Sequence, residues 1–120
     1  MNILLVAATR QEIAPTVALS EPMAAPSELP EACQFAGHRL HILVTGVGMV
    51  ATACHTAAAL RATRYDLAVN AGVAGAFNRA LPPGTVVQVI EDHVAEFGAE
   101  NGDSFLSVFD LGLADPDGWP

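Results

Sequence analysis

Glu12 is the residue whose type and position best suit it to move a proton. It lies just beyond the apolar run NILLVAA at 2–8, which reads as a strand in the middle of a covered sheet. A carboxylate at that point can draw a proton from water and turn it into a nucleophile. The same side chain fits a second role. Thr9 stands three residues earlier, and Thr-x-x-Glu is the spacing of a capping box, which satisfies free N–H groups at a helix start. From the residues alone both roles stay open.

The second candidate is Asn70-Ala71-Gly72-Val73-Ala74-Gly75, which follows the strand-like run YDLAV at 65–69. Glycine is required where backbone approaches another surface closely or takes positive φ. A buried strand that ends in such a turn presents N–H groups at the sheet end, where ligands bind in open α/β folds. A plain strand-to-helix turn accounts for the same residues. If the strands are parallel, Glu12 and this turn share one end of the sheet.

Thr45-Gly46-Val47-Gly48 is a third turn, able to offer N–H groups to a ligand oxygen at a helix N-terminus. It is not a dinucleotide fingerprint, because Ala51 occupies the third glycine position. Close packing of helix on sheet would need the same glycines. His38, His41, His55 and His93 have no ligand spacing with cysteine or acid. His55 falls on an alanine-rich helix as a packed or rim histidine. Nothing here orders a Ser-His-Asp triad. The acidic stretch 91–103 reads as a solvated loop, and although Asp92 and Glu96 could hold magnesium, no spacing calls for it. Neither a metal nor an organic cofactor is implied.

The elements that must position these residues follow from pattern. After the first strand, Thr9 starts a helix over about 10–19, with Pro15 limiting its regularity. Residues 20–30 contain three prolines and read as a surface loop. Residues 32–35 and 38–44 flank Ala36-Gly37 as a hairpin. MVATACHTAAALRAT at 49–63 has side chains small enough for a helix lying close on a sheet, and Arg61 and Arg64 suit the negative end of its dipole. TVVQVI at 85–90 is β-branched and is expected to form a fourth confident strand. FLSVFDLGL at 105–113 has no clean period.

The chain has 120 residues, 52% hydrophobic and 15% charged, against about a quarter charged in ordinary domains. That is one domain at most, with a large share of its surface to bury and no disorder expected except at the C-terminal end. A net charge of -8 with only scattered arginines argues against nucleic acid or an anionic membrane as partner. Cys33 and Cys54 make no disulfide framework and read as small buried residues. The N-terminus runs into a strand without a charged leader, and no apolar run reaches membrane-spanning length, so a cytoplasmic protein is expected. A largely parallel sheet needs helices on both faces. Two helices for four or five strands leave it short of cover, so the chain is expected to be a fragment.

In order and spacing, MNILLVAATRQEI at 1–13, VTGVGMVATA at 44–53 and VNAGVAG at 69–75 resemble the nucleoside phosphorylase/nucleosidase superfamily. Within it they are similar to the nucleosidases of methylthioadenosine and S-adenosylhomocysteine. More narrowly, EFGAENG at 96–102 and FLSVFDLGL at 105–113 resemble the futalosine hydrolase branch. The resemblance implies an α/β three-layer sandwich with a mixed, mainly parallel central sheet, incomplete at its C-terminal end. Residues 1–120 would be the N-terminal part of a single nucleosidase domain, with no second domain.

The implied reaction is hydrolysis of an N-glycosidic bond through an oxocarbenium-like state. Glu12 would activate the attacking water. Gly72, Val73, Ala74 and Gly75 would form the floor under base and ribose, with residues 49–53 packed behind. The implied partner is a purine nucleoside, and the implied assembly a homodimer or larger homo-oligomer. Two departures matter. Phosphorylases of the superfamily carry an arginine and a serine around the central turn, where this chain has Asn70 and Val73; a buried phosphate dianion would be left unpaired there. The family's ribose-binding acid and leaving-group acid would fall beyond residue 120, so the isolated chain is expected to be inactive. A methylthioadenosine or S-adenosylhomocysteine nucleosidase, or a non-catalytic nucleoside-binding domain, are the alternatives.

Overall fold

In the computed structural model, residues 1–23, 30–116 and 118 are described. The sequence elements appear as β1 (Asn2–Ala7), α1 (Arg10–Ala18), β2 (Glu21–Pro22), β3 (Glu31–Phe35), β4 (His38–Val44), α2 (Met49–Ala62), β5 (Leu67–Asn70), β6 (Gly98–Asn101) and β7 (Ser104–Ser107). Contacts divide them into two compact units, Met1–Phe77 and Asn78–Pro120.

The first unit is built on β1. Its alternate residues face opposite ways, as strand geometry requires. Leu5 and Ala7 enter a cluster with Ile13, Cys33, Leu40 and Ile42, against which Val17 and Ala71 also pack. Leu4 and Val6 join Leu43 and Ala59 on the other face, with Tyr65 against them. Ile13 and Val17 belong to α1, and Ala59 to α2, so the helices cover opposite faces of one sheet. Full burial of a side chain such as Leu4 or Ile13 contributes roughly 1.5–3 kcal/mol. The sheet has the order β2-β3-β4-β1-β5. β1 runs parallel to β4 and β5, while β3 is antiparallel to both β4 and β2. This is the mixed, centrally parallel sheet between helical layers expected from the sequence.

The hairpin 32–44 closes as read, with Phe35 opposite His38. The loop read over 20–30 is only partly seen: Glu21 and Pro22 pair with Gln34 and Cys33, and residues 24–29 lie outside the described residues. The C-terminal end expected to lack order also lies partly outside them, at residues 117, 119 and 120. Cys33 is buried, but Cys54 is exposed on α2, because a run of small residues gives no clear apolar stripe to mark its inner face.

In the second unit β6 and β7 form a hairpin, pairing Gly98 with Ser107 through Asn101 with Ser104. The expected strand at 85–90 is not formed. Val86 and Ile90 are 95% and 91% exposed, and among the described residues the segment joins neither sheet. β-branched propensity reflects packing against a neighbouring strand and does not create one. No described helix is long and apolar enough to cross a membrane.

Candidate active site

The C-terminal ends of β1, β4 and β5 bring three turns to one edge of the first unit. Each ladder is carried one step past its strand: the Thr45 amide donates to the Ala7 carbonyl at 3.0 Å, and the Ala71 amide to the Val6 carbonyl at 2.8 Å. At the far end of the sheet Asn2 fixes the start of β5. Its amide donates to Asp66 at 2.6 Å and its side chain to the Arg64 carbonyl at 2.7 Å. The turn after β5 is thereby held in register with the start of α1.

Glu12 stands in the first turn of α1, and Thr9 is the N-cap. The Thr9 amide donates to Glu12 Oε2 at 2.7 Å, and the Thr9 hydroxyl donates to the same oxygen at 3.0 Å. The other oxygen, Oε1, accepts the Val73 amide at 3.2 Å. Capping and the juxtaposition with the central turn, alternatives in the sequence, are both present in one side chain. Charge-assisted bonds of this kind favour the ionised form. The Val73 amide, and after it the amide and hydroxyl of Thr9, hold the Glu12 carboxyl below the ordinary carboxylate value.

The glycines of the turn have different duties. A Cβ added at Gly72 would come within 3.0 Å of Glu12 Oε1, whereas one at Gly75 would meet nothing within 4 Å. Neither has positive φ, so close approach is what Gly72 provides. Val73 is 82% exposed and Ala74 and Gly75 are exposed beside it, so the four residues form an open surface next to the carboxylate. Sequence reasoning put Glu12 and residues 72–75 at one end of a parallel sheet, where they stand. It missed the bond from the Val73 amide, since a backbone donor leaves no mark on residue type.

The 45–48 turn relies on Gly46 and Gly48, at φ 84° and 113°. Behind it the buried Thr45 shares a hydroxyl contact of 3.0 Å with Thr52. Met49, Thr52 and Ala53 line a groove with Val69 and Asn70, so α2 borders the end of β5. Arg10, the cation closest in sequence to Glu12, is paired with Glu31 at 2.7 Å. The exposed His93 pairs with Glu91 at 2.7 Å. Among the described residues no cluster of histidine, cysteine or acid is arranged to hold a metal ion.

A family model described as the phosphorylase superfamily matches residues 2–117. The chain belongs to the phosphorylase superfamily. Over 85 residues, 63% of the chain, it is 40% identical to a futalosine hydrolase of Streptomyces coelicolor. That stretch is 36% of the relative's length. No solved structure matches the chain. Membership accounts for the parallel core and for turns gathered at one sheet end.

Proposed function

We propose that this chain forms the water-activating part of a nucleosidase that hydrolyses the N-glycosidic bond of futalosine or aminodeoxyfutalosine. The reaction would release hypoxanthine or adenine and leave dehypoxanthine futalosine, a step of menaquinone biosynthesis. The observation that carries this reading is the contact between the Glu12 carboxylate and the Val73 amide. It joins a negative charge to the turn proposed to lie under the nucleoside.

An oxocarbenium-like transition state gains positive charge as the base departs, and a fixed carboxylate beside it is more useful there than in the ground state. With its pKa held low, Glu12 is ionised at neutral pH. Its role is to orient and polarise water for a carbon that is already strongly electrophilic, rather than to be a strong base. Gly72, Val73, Ala74 and Gly75 form the floor of the subsite.

Water as the co-substrate fits the local charges. Val73 donates its amide to Glu12, so that donor is engaged, and Arg10 is engaged by Glu31. A phosphate dianion here would face a carboxylate with neither a free arginine nor a hydroxyl at 70 or 73 to hold it. We place the protein in the cytoplasm, acting without a cofactor as a homodimer or larger homo-oligomer, with residues 1–120 as the N-terminal part of one nucleosidase domain.

The test compares base release from futalosine, aminodeoxyfutalosine and methylthioadenosine by the full-length gene product. Faster release from a futalosine-type nucleoside is expected. Preference for methylthioadenosine would transfer the chain to the other nucleosidase branch. Binding of purine nucleosides with no release from any would leave a non-catalytic domain.

A further inference from the structure

We propose that Thr9 is the positioning residue of the Glu12 carboxylate, locking Oε2 so that Oε1 alone has room to accept a water at the central turn. The inference rests on the nucleosidase reading only for what that water does; the arrangement of donors is independent of it.

A carboxylate oxygen accepts through two lone pairs. Oε2 receives two donors, the amide and the hydroxyl of Thr9, at 2.7 and 3.0 Å. Oε1 receives a single, longer bond of 3.2 Å from Val73. The two short bonds hold Oε2 at the helix start, and Oε1, with the longer one, faces the turn, the Ala8 amide adding a weaker pull on the carboxylate. Helix capping by itself requires the carboxylate to meet the N-cap amide. The additional proton given by the Thr9 hydroxyl adds no cap to the helix; it fixes the rotation of the carboxylate and reduces its affinity for a proton.

Substitutions at residue 9 test the hydroxyl, which also takes part in the capping box. Thr9→Val keeps the side-chain shape and the backbone amide while deleting the hydroxyl, both as donor to Glu12 and as acceptor of the Glu12 amide in the capping box. Thr9→Ser keeps the donor. Thr9→Gly is tolerated at a helix start and has neither a hydroxyl nor a charge, so it preserves the fold should Thr9→Val fail to. Titration of the Glu12 side-chain carboxyl, followed by 13C NMR in the 120-residue chain, reads the effect without any substrate. Glu12 is expected to titrate at higher pH in Thr9→Val and Thr9→Gly, and as in wild type in Thr9→Ser. In the full-length gene product kcat is expected to fall about tenfold in Thr9→Val with KM little changed, and to recover in Thr9→Ser, as for a misaligned reacting group. An unchanged Glu12 titration in both Thr9→Val and Thr9→Gly would overturn the proposal. If wild-type enzyme releases no base from any nucleoside, the functional reading fails, and the titrations still decide the role of Thr9.

Discussion

The amide of Val73 donates to Oε1 of Glu12 at 3.2 Å across 61 residues of sequence. One residue belongs to the first turn of α1, the other to the turn after β5. They meet because β1 lies between β4 and β5 with both partners parallel to it. The strand ends thus fall at one edge, and the contact is a direct product of topology. Much of the site's behaviour should follow from it.

Gly72 is where this contact is most easily broken. A methyl group there would sit 3.0 Å from Oε1, closer than ordinary carbon–oxygen contact, so the carboxylate must turn away. Gly72→Ala is expected to lower kcat by about tenfold or more, as displacement of a reacting group does, while circular dichroism stays native. Gly75→Ala, with open space at its Cβ, is the control for substitution in the same turn. Equal losses in both would mean that the contact with Glu12 is not what Gly72 protects.

Ile13 anchors the helix that carries Glu12. It is 2% exposed and packs with Leu5, Ala7, Cys33, Leu40 and Ile42. Ile13→Ala leaves a cavity between α1 and the sheet and is expected to reduce stability by about 2–5 kcal/mol. Urea unfolding of the chain measures this, and a change under about 1 kcal/mol, the scale of a tolerated swap, would show that α1 is not anchored there.

These expectations depend on features that differ in how clearly the sequence displays them. Thr9 and Glu12 have the capping spacing, and α1 begins directly after Thr9. NILLVAA is apolar on both faces because both are covered, and Ala36-Gly37 marks its hairpin by composition. At 85–90 the propensity was real but no partner strand met it. The β6–β7 hairpin was hidden for the opposite reason: Gly98–Asn101 is exposed along its length, and a strand with no buried face shows no alternation of period two. The site was legible as three turns and one acid. Its decisive bond was not, because a main-chain amide is present at every residue except proline.

Acid should weaken the fold in two separate steps. His41 is partly buried against Tyr65, ring centroids 5.2 Å apart, with Nε2 lacking a hydrogen-bond partner among the described residues. Burial, and then the charge of Arg39, push its pKa below the ordinary 6.5. A depressed folded value means that the unfolded chain binds the proton more readily, so stability is present above 6.5 and is lost as pH falls from there through the folded value. Glu12 acts the same way lower down: its contribution is complete above the ordinary 4.5 and is lost as pH falls through its own depressed value. Unfolding midpoints recorded from pH 7 to 3 are expected to fall in both windows. His41→Leu should flatten the upper one, and Glu12→Gln should reduce the lower, which Asp110, held low by Ser107, shares. If each variant keeps the wild-type slope in its own window, the assignment of these steps is wrong.

Asn70 and Val73 should keep phosphate out. Wild-type full-length enzyme is expected to release base at the same rate with or without phosphate. The double substitution Asn70→Arg with Val73→Ser supplies the cation and hydroxyl that a buried dianion requires. Its rate or product is expected to become phosphate-dependent. Phosphate acceleration of the wild type would remove the argument for water at this turn.

The most direct measurement is base release from futalosine in phosphate-free buffer by the full-length gene product, for wild type and Glu12→Gln in parallel. Glutamine retains the size of the side chain and lacks both the negative charge and the ability to take a proton. The expected result is steady release by wild type and a rate about 10²–10⁴-fold lower in the folded variant, the range lost with a proton-transfer group. A folded Glu12→Gln enzyme that releases base at the wild-type rate would contradict the assignment of water activation to Glu12.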